Sequence, residues 1–107
     1  MVVSRFDVYL VDLPAQPIGD ARAARLCLVV SPDESHRYVT TVLVAPMTTR
    51  ARPYPTRVPC RFNGKHGQIA LDQLRTIDKA LLVRHLGRVG STTQKDVQRV
   101  LAALFAS

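Results

Sequence analysis

The amino-acid sequence predicts a mainly β chain closed by one C-terminal helix, a β/α small barrel or strongly bent sheet. Three observations carry this expectation. Five or six short apolar runs are separated by clusters of proline, glycine, asparagine and serine. One uninterrupted C-terminal stretch repeats its apolar residues at helical spacing. The chain has 107 residues, 47% of them hydrophobic, which suits one compact domain over residues 1–107 with a core of Val, Leu, Ile and Ala.

Residues 6–13 roughly alternate and read as a half-buried strand, with Phe6, Val8 and Leu10 on one side and Asp7 and Tyr9 on the other. Pro14 to Ala24 reads as a long loop, and loops of that length in small domains are often functional. Leu26 to Val30 is a continuous apolar run, consistent with a central strand. Residues 31–35 form a turn or a single helical turn. Val39 to Met47 is a third strand, with Pro46 marking its end or an edge. A second exposed loop covers residues 48–55. Arg57 to Phe62 carries Pro59 and is expected at a sheet edge. Asn63-Gly64 is a strong hairpin signal, followed by a fifth strand from Gln68 to Asp72. Asp78 to Val83 suggests a short helix capped by Asp78, and Leu86 to Val89 a last short strand. Ser91-x-x-Gln94 has the spacing of a capping box, and Val97, Val100, Leu101, Leu104 and Phe105 then give one apolar helix face, expected to be core.

The formal net charge is +7, and twelve of the fifteen basic residues are Arg, whose planar fork of donors suits phosphate. No acid occurs between Glu34 and Asp72, a span that holds Arg37, Arg50, Arg52, Arg57, Arg61 and Lys65. Such a span is a solvated basic face or a surface for a polyanion, nucleic acid above all, or for an acidic protein. The two cysteines, Cys27 and Cys60, have no metal-ligand spacing and read as reduced thiols, and no apolar stretch approaches membrane-spanning length. With no signal peptide in the opening residues, a cytoplasmic location is expected, without metal, cofactor or membrane partner. The histidines read as surface groups, with His66 a candidate nucleic-acid contact beside the turn.

Residues 72–78 pack two acids, a base, an amide and a hydroxyl behind a short apolar run. Groups that dense are costly to bury unless they pair or face a ligand. Arg75 is expected to pair with Asp72 or Asp78 and brace the loop. Motifs for nucleotide cradles, elbow nucleophiles and zinc hydrolases are absent. An enzyme built on this sequence would lean on Arg, and RNA permits that. Its 2′-hydroxyl is the nucleophile, so the protein need only position the strand, move protons and stabilise the charged transition state.

The blocks Asp7-Val8-Tyr9-Leu10-Val11-Asp12-Leu13, Arg25 opening a strand that ends in Val29-Val30-Ser31-Pro32, Val44-Ala45-Pro46-Met47-Thr48-Thr49, and Asp72-Gln73-Leu74-Arg75-Thr76-Ile77-Asp78 stand in order over nearly the whole chain. Together they make the sequence resemble the MazF/PemK (Kid) toxin family. The resemblance implies an SH3-like barrel of the PemK/CcdB type, a homodimer, and a sequence-specific, metal-independent endoribonuclease acting on single-stranded RNA. It also implies a cognate antitoxin whose acidic segment blocks the RNA groove. By the same resemblance, Arg25 falls at the catalytic arginine and Thr48 at the catalytic hydroxyl. Asp20 is a candidate base or ribose contact, and Asp72 matches an acid used as base in the Kid branch. Arg22, Arg50, Arg52, Arg57, Lys65, His66 and Gln73 are candidate RNA contacts. The chain departs from the family pattern at Gly19 and Ala70, where the Kid branch has His and Arg, so the Arg25/Thr48 pair is the expected chemistry. Leu26 replaces a usual proline and Phe6 a usual glycine, both expected to alter packing rather than chemistry.

Two other readings share these features. A non-enzymatic gyrase poison like CcdB would need a distinctive C-terminal tip, and Leu104-Phe105-Ala106-Ser107 lacks the Trp-Gly-Ile end. A non-catalytic nucleic-acid-binding module would bind with the same salt dependence but leave RNA uncut.

Overall fold

The computed structural model describes residues 2–13 and 23–106. Seven strands and one helix follow in the order β1 (Asp7–Leu13), β2 (Ala23–Val29), β3 (Thr41–Thr48), β4 (Arg57–Phe62), β5 (Lys65–Ala70), β6 (Arg75–Asp78), β7 (Leu82–Arg88) and α1 (Ser91–Phe105). Single 3-10 turns lie at Asp33–Arg37, Leu71–Gln73 and Lys79–Leu81. All strand pairs are antiparallel, in the spatial order β4-β5-β3-β2-β1-β7, with β6 alongside the first half of β3. The architecture is the mainly β sheet with a closing helix that the sequence predicts.

The sheet is buried on both faces. Val8, Leu28, Ala45, Val58 and Ile69 share one core with Val97 and Val100 of α1. Tyr9, Val11, Cys27, Val29, Val44 and Ile77 form a second core on the other side. β1 is therefore not half-buried as its alternation suggests. Its second face carries Tyr9 at 2% exposure and the Asp7 carboxylate at 4%. That carboxylate accepts the Ser4 N–H at 2.9 Å and lies 3.4 and 3.5 Å from His85 and Arg88. A buried charge needs such partners.

Pro46 does not end β3 or lie at an edge. It is buried within the strand opposite Cys27, where β3 changes neighbour, pairing with β6 through Val44 and with β5 from Met47. Pro59 does lie in the edge strand β4, where a missing N–H costs the ladder least. The Asn63-Gly64 signal is borne out. Both residues have positive φ, 50° and 78°, and join β4 to β5 as a two-residue hairpin.

The expected helix over residues 78–83 is a single 3-10 turn. Asp78 caps it, accepting the Ala80 N–H at 2.9 Å, and β7 then begins at Leu82 and takes in the expected short strand. β6 replaces part of the loop expected over residues 72–78, and it pairs with β3 from Arg75 to Asp78. The capping box does not form. Ser91 is already helical, the cap residue is Gly90, and Gln94 donates to the Val89 carbonyl at 2.8 Å. On α1 the core face ends early, since Leu104 and Phe105 are 38% and 75% exposed.

His36 is buried, not a surface group. Ser31 Oγ accepts the Leu43 N–H at 3.1 Å and shares a hydrogen bond of 2.6 Å with His36 Nε2, and His36 Nδ1–H donates to the Val3 carbonyl at 2.8 Å. The ring thus ties the N-terminal segment to β3.

Phe6 takes φ +75°, a conformation that favours glycine, while its ring is buried at 5% exposure. Its replacement of the usual glycine is a backbone matter as well as a packing one. The left-handed backbone costs about 1–2 kcal/mol, whereas removing a buried Phe side chain costs about 3–5 kcal/mol. Phe6→Gly is therefore expected to lower stability by roughly 2 kcal/mol in urea unfolding. Equal or higher stability in the variant would show that strain outweighs burial.

Candidate nucleic-acid interface

β2 and β3 pair in the register Val29↔Val44, Leu28↔Ala45 and Cys27↔Pro46, and the ladder stops there. Continuing that register by two residues sets Arg25 opposite Thr48, on one face of the two strand ends. Beyond Pro46, β3 leans to β5 instead, pairing Met47 with Ile69 and Thr48 with Gln68. The divergence opens a cleft of about 530 Å³ lined by Arg25, Thr48, Arg50, Arg52, Arg57 and Gln73. A second hollow of about 270 Å³ shares Arg25, Pro46 and Gln73 with it and extends to Arg75. No acidic side chain lines either one among the described residues. Several guanidinium groups facing one concavity without acids raise the local potential for phosphate.

The Thr48 hydroxyl is oriented by its own strand end. Its Oγ1 accepts the Arg50 N–H at 3.1 Å, which leaves the hydroxyl proton to donate into the cleft. Gly67 allows β5 to lie this close, because a Cβ there would meet the Thr48 carbonyl oxygen at 2.7 Å. The loop after Thr48 is pinned by Gln68. Its Oε1 accepts the Arg52 N–H at 3.0 Å and its Nε2 donates to the Arg52 carbonyl at 3.1 Å. Two bonds to one backbone unit hold Arg50 and Arg52 at the cleft without using their side chains.

Asp72 and Arg57, expected separately, form one unit. Arg57 Nε donates to Asp72 Oδ1 at 2.7 Å and a second guanidinium nitrogen to Oδ2 at 3.3 Å. The Thr56 hydroxyl donates to Oδ1 at 3.1 Å, and the guanidinium lies 5.3 Å from the Tyr54 ring centre. The Arg57 hydrogen bonds hold the Asp72 carboxyl below the usual carboxylate range, with Thr56 assisting. A carboxylate so stabilised is a poor proton acceptor near neutral pH. Arg75 pairs with neither neighbouring acid, since Asp72 is taken by Arg57 and Asp78 by the Ala80 N–H. It reaches the second hollow and, with Arg25, lies near enough to Cys27 to oppose the burial that pushes that thiol up to about 11.

The structure thus brings together Arg25, Thr48, Arg50, Arg52, Arg57 and Gln73. Asp72 sits behind them as the partner of Arg57. Lys65 and His66 line an adjoining hollow that also touches Thr48. Asp20 and Arg22 lie outside the described residues. Gln68, Gly67, Tyr54 and Thr56 position the site and were not legible as such. Each acts on backbone or on another side chain, and no spacing in the sequence marks that. Among the described residues, no three His, Cys, Asp or Glu side chains group to hold a metal ion.

The family profile described as a PemK-like, MazF-like toxin of type II toxin–antitoxin systems matches residues 4–105. A protein named endoribonuclease MazF from Staphylococcus saprophyticus is 29% identical over 106 residues, covering 94% of this chain and 88% of that one. A mycobacterial endoribonuclease solved in complex with its cognate antitoxin superposes with TM-score 0.80 at 28% identity, covering 94% of this chain and 92% of that one. The MazF of a Deinococcus radiodurans MazE–MazF complex has the same fold, with TM-score 0.82 at 22% identity over 97% and 96% of the two chains.

The Arg57–Asp72 pair has a pH signature. A carboxylate with a lowered folded-state pKa stabilises above its unfolded value and loses that contribution as pH falls through the folded one. The Tm gap between wild type and Asp72→Asn is expected to be constant above about pH 5 and to narrow below about pH 4. A gap that widens on acidification would contradict the pairing.

Proposed function

We propose, on the premise that this chain belongs to the PemK-like, MazF-like toxin family, that it is the toxin of a toxin–antitoxin system and cleaves single-stranded RNA. The observation that carries the reading is the end of the β2–β3 ladder. Beyond it the two strands part, and Arg25 and Thr48 line one arginine-rich cleft free of acids among the described residues. The matched relatives are named MazF or endoribonuclease, which favours cleavage over the gyrase-poison and binding-only readings.

In this mechanism the RNA 2′-oxygen attacks the adjacent phosphorus and the bond to the 5′-oxygen breaks. The departing 5′-oxygen takes a proton from solvent, and the products are a 2′,3′-cyclic phosphate and a 5′-hydroxyl. The Arg25 guanidinium stabilises the dianionic phosphorane, and Thr48 donates its hydroxyl proton to a non-bridging oxygen. No metal is required for those roles. Arg50, Arg52 and Arg57 hold the flanking phosphates, and Gln73 lies within reach of a ribose or base at the cleft wall. Asp72 keeps Arg57 aimed into the cleft and does not act as base. That leaves Asp20, five residues before Arg25 in the chain, as the candidate for taking the 2′-hydroxyl proton. The protein acts as a cytoplasmic homodimer, and an acidic segment of its antitoxin occupies the same basic cleft, competing with RNA.

The test is cleavage of a long RNA in EDTA with end mapping. Wild type is expected to cut at a short sequence, leaving 5′-hydroxyl ends. Arg25→Ala and Thr48→Ala are each expected to lose about 100-fold or more in rate, the scale of a lost oxyanion donor. Intact RNA with wild type, or undiminished cutting by Arg25→Ala, would refute the assignment.

A further inference from the structure

Beside the charged cleft lies a smaller hollow of about 160 Å³ that the phosphate chemistry does not use. Leu26, Met47, Thr48 and Thr49 line both, so they meet along the same two strand ends. The period of two along a strand explains the contrast between them. Arg25 and Thr48 belong to one face, Leu26 and Met47 to the other, where they pack against the α1-side core together with Phe62 and Cys60. The hollow's floor is accordingly apolar. Its rim is supplied by the tip of the β4–β5 hairpin, with Asn63, Lys65 and His66 all exposed. No acid lines it among the described residues.

The floor is also held in place. The Phe62 ring lies against Gly87, where a Cβ would come 3.4 Å from it, and the hairpin tip is fixed by the two positive-φ residues of its turn. A rigid apolar slot with donors on its rim, opening onto a phosphate site, matches the two halves of a nucleotide. The flat, weakly hydrated base and the charged phosphate are separated only by the sugar. The absence of acids speaks against a cationic or amine ligand, and the volume admits one base rather than a stacked pair.

We propose that this hollow is a nucleobase subsite that takes one unstacked base beside the phosphate held by Arg25 and Thr48. The inference rests on the ribonuclease reading above and adds a source of sequence preference to it. Single-stranded RNA is read by such splayed-out bases, through an apolar or aromatic surface and hydrogen bonds to the base edge. Lys65 only donates, and Asn63 and His66 offer further polar atoms, so the rim favours a base with an exocyclic carbonyl. Adenine, whose exocyclic amine is itself a donor, meets the Lys65 ammonium only through a ring nitrogen and is held less well there.

Asn63→Gly tests this cleanly, because glycine keeps the turn and removes only the side-chain amide. Lys65→Ala removes the donor to which the preference is traced. An RNA pool of random sequence is digested in EDTA and the cut sites are mapped. Wild type is expected to avoid adenine at one position flanking the cut. In each variant that bias is expected to weaken roughly three- to tenfold, the scale of one lost hydrogen bond, while preferences elsewhere stay. Cutting by wild type with no such bias, or a bias unchanged in both variants, overturns the subsite and leaves the ribonuclease standing. Methyl NMR of Met47 and Leu26 with an oligonucleotide carrying 2′-deoxy sugars separates the two failures. If wild type cuts nothing, shifts of those methyls that weaken in Asn63→Gly support the subsite without the cleavage. Unshifted methyls in that case overturn both.

Discussion

The site depends on one change of partner. β3 pairs with β6 over its first half and β5 over its last two residues, and Pro46, which has no N–H to offer a ladder, stands between. A sheet that kept β2 and β3 paired to their ends would bury Arg25 and Thr48 in a cross-strand contact. Because β3 swings to β5, the two ends part, and the side chains that would have met across the ladder face a cleft instead. Everything else near the cleft maintains that divergence. Gly67 lets β5 approach the Thr48 carbonyl, and Gln68 captures the backbone of the following loop at Arg52.

The division of charge follows from the same geometry. Arginines that converge on one concavity repel one another, and a carboxylate inside it would cancel the field that attracts phosphate. Asp72 resolves this from behind the cleft. It fixes the guanidinium of Arg57 by two hydrogen bonds while leaving the cleft wall free of acids. The stretch from Asp72 to Asp78, the most conspicuous run of polar residues in the sequence, is thus mostly scaffolding. Asp72 braces Arg57, Asp78 caps a turn, and residues 75–78 form a strand. Of that stretch, Gln73, Leu74 and Arg75 line the hollows.

The sequence made the architecture legible because it depends on local signals. The apolar runs, the Asn63-Gly64 turn and the C-terminal periodicity report on backbone preferences within a few residues. The ordered motif blocks brought Arg25 and Thr48 forward together, although neither has a local signature. What was not legible depends on pairing across the fold. The apolar runs give no register, so Pro46 read as a strand end rather than a switch of partner. Arg57 and Asp72 are fifteen residues apart and join only because β4 and β5 form a hairpin. His36 looked like a surface group until Ser31 and Val3 closed around it, and Leu104 and Phe105 continue the helix period past the point where the core ends.

The central claim is that Arg25 and Thr48 hold the reacting phosphate while Asp72 stays bound to Arg57. A structure with an oligonucleotide made uncleavable by a 2′-deoxy sugar at the cut site tests it most directly. The account predicts the scissile phosphate within hydrogen-bond distance of the Arg25 guanidinium and Thr48 Oγ1, with the Arg57–Asp72 pair unchanged. A phosphate bound away from Arg25, or Asp72 released from Arg57 and turned toward the 2′ position of the ribose, would contradict it.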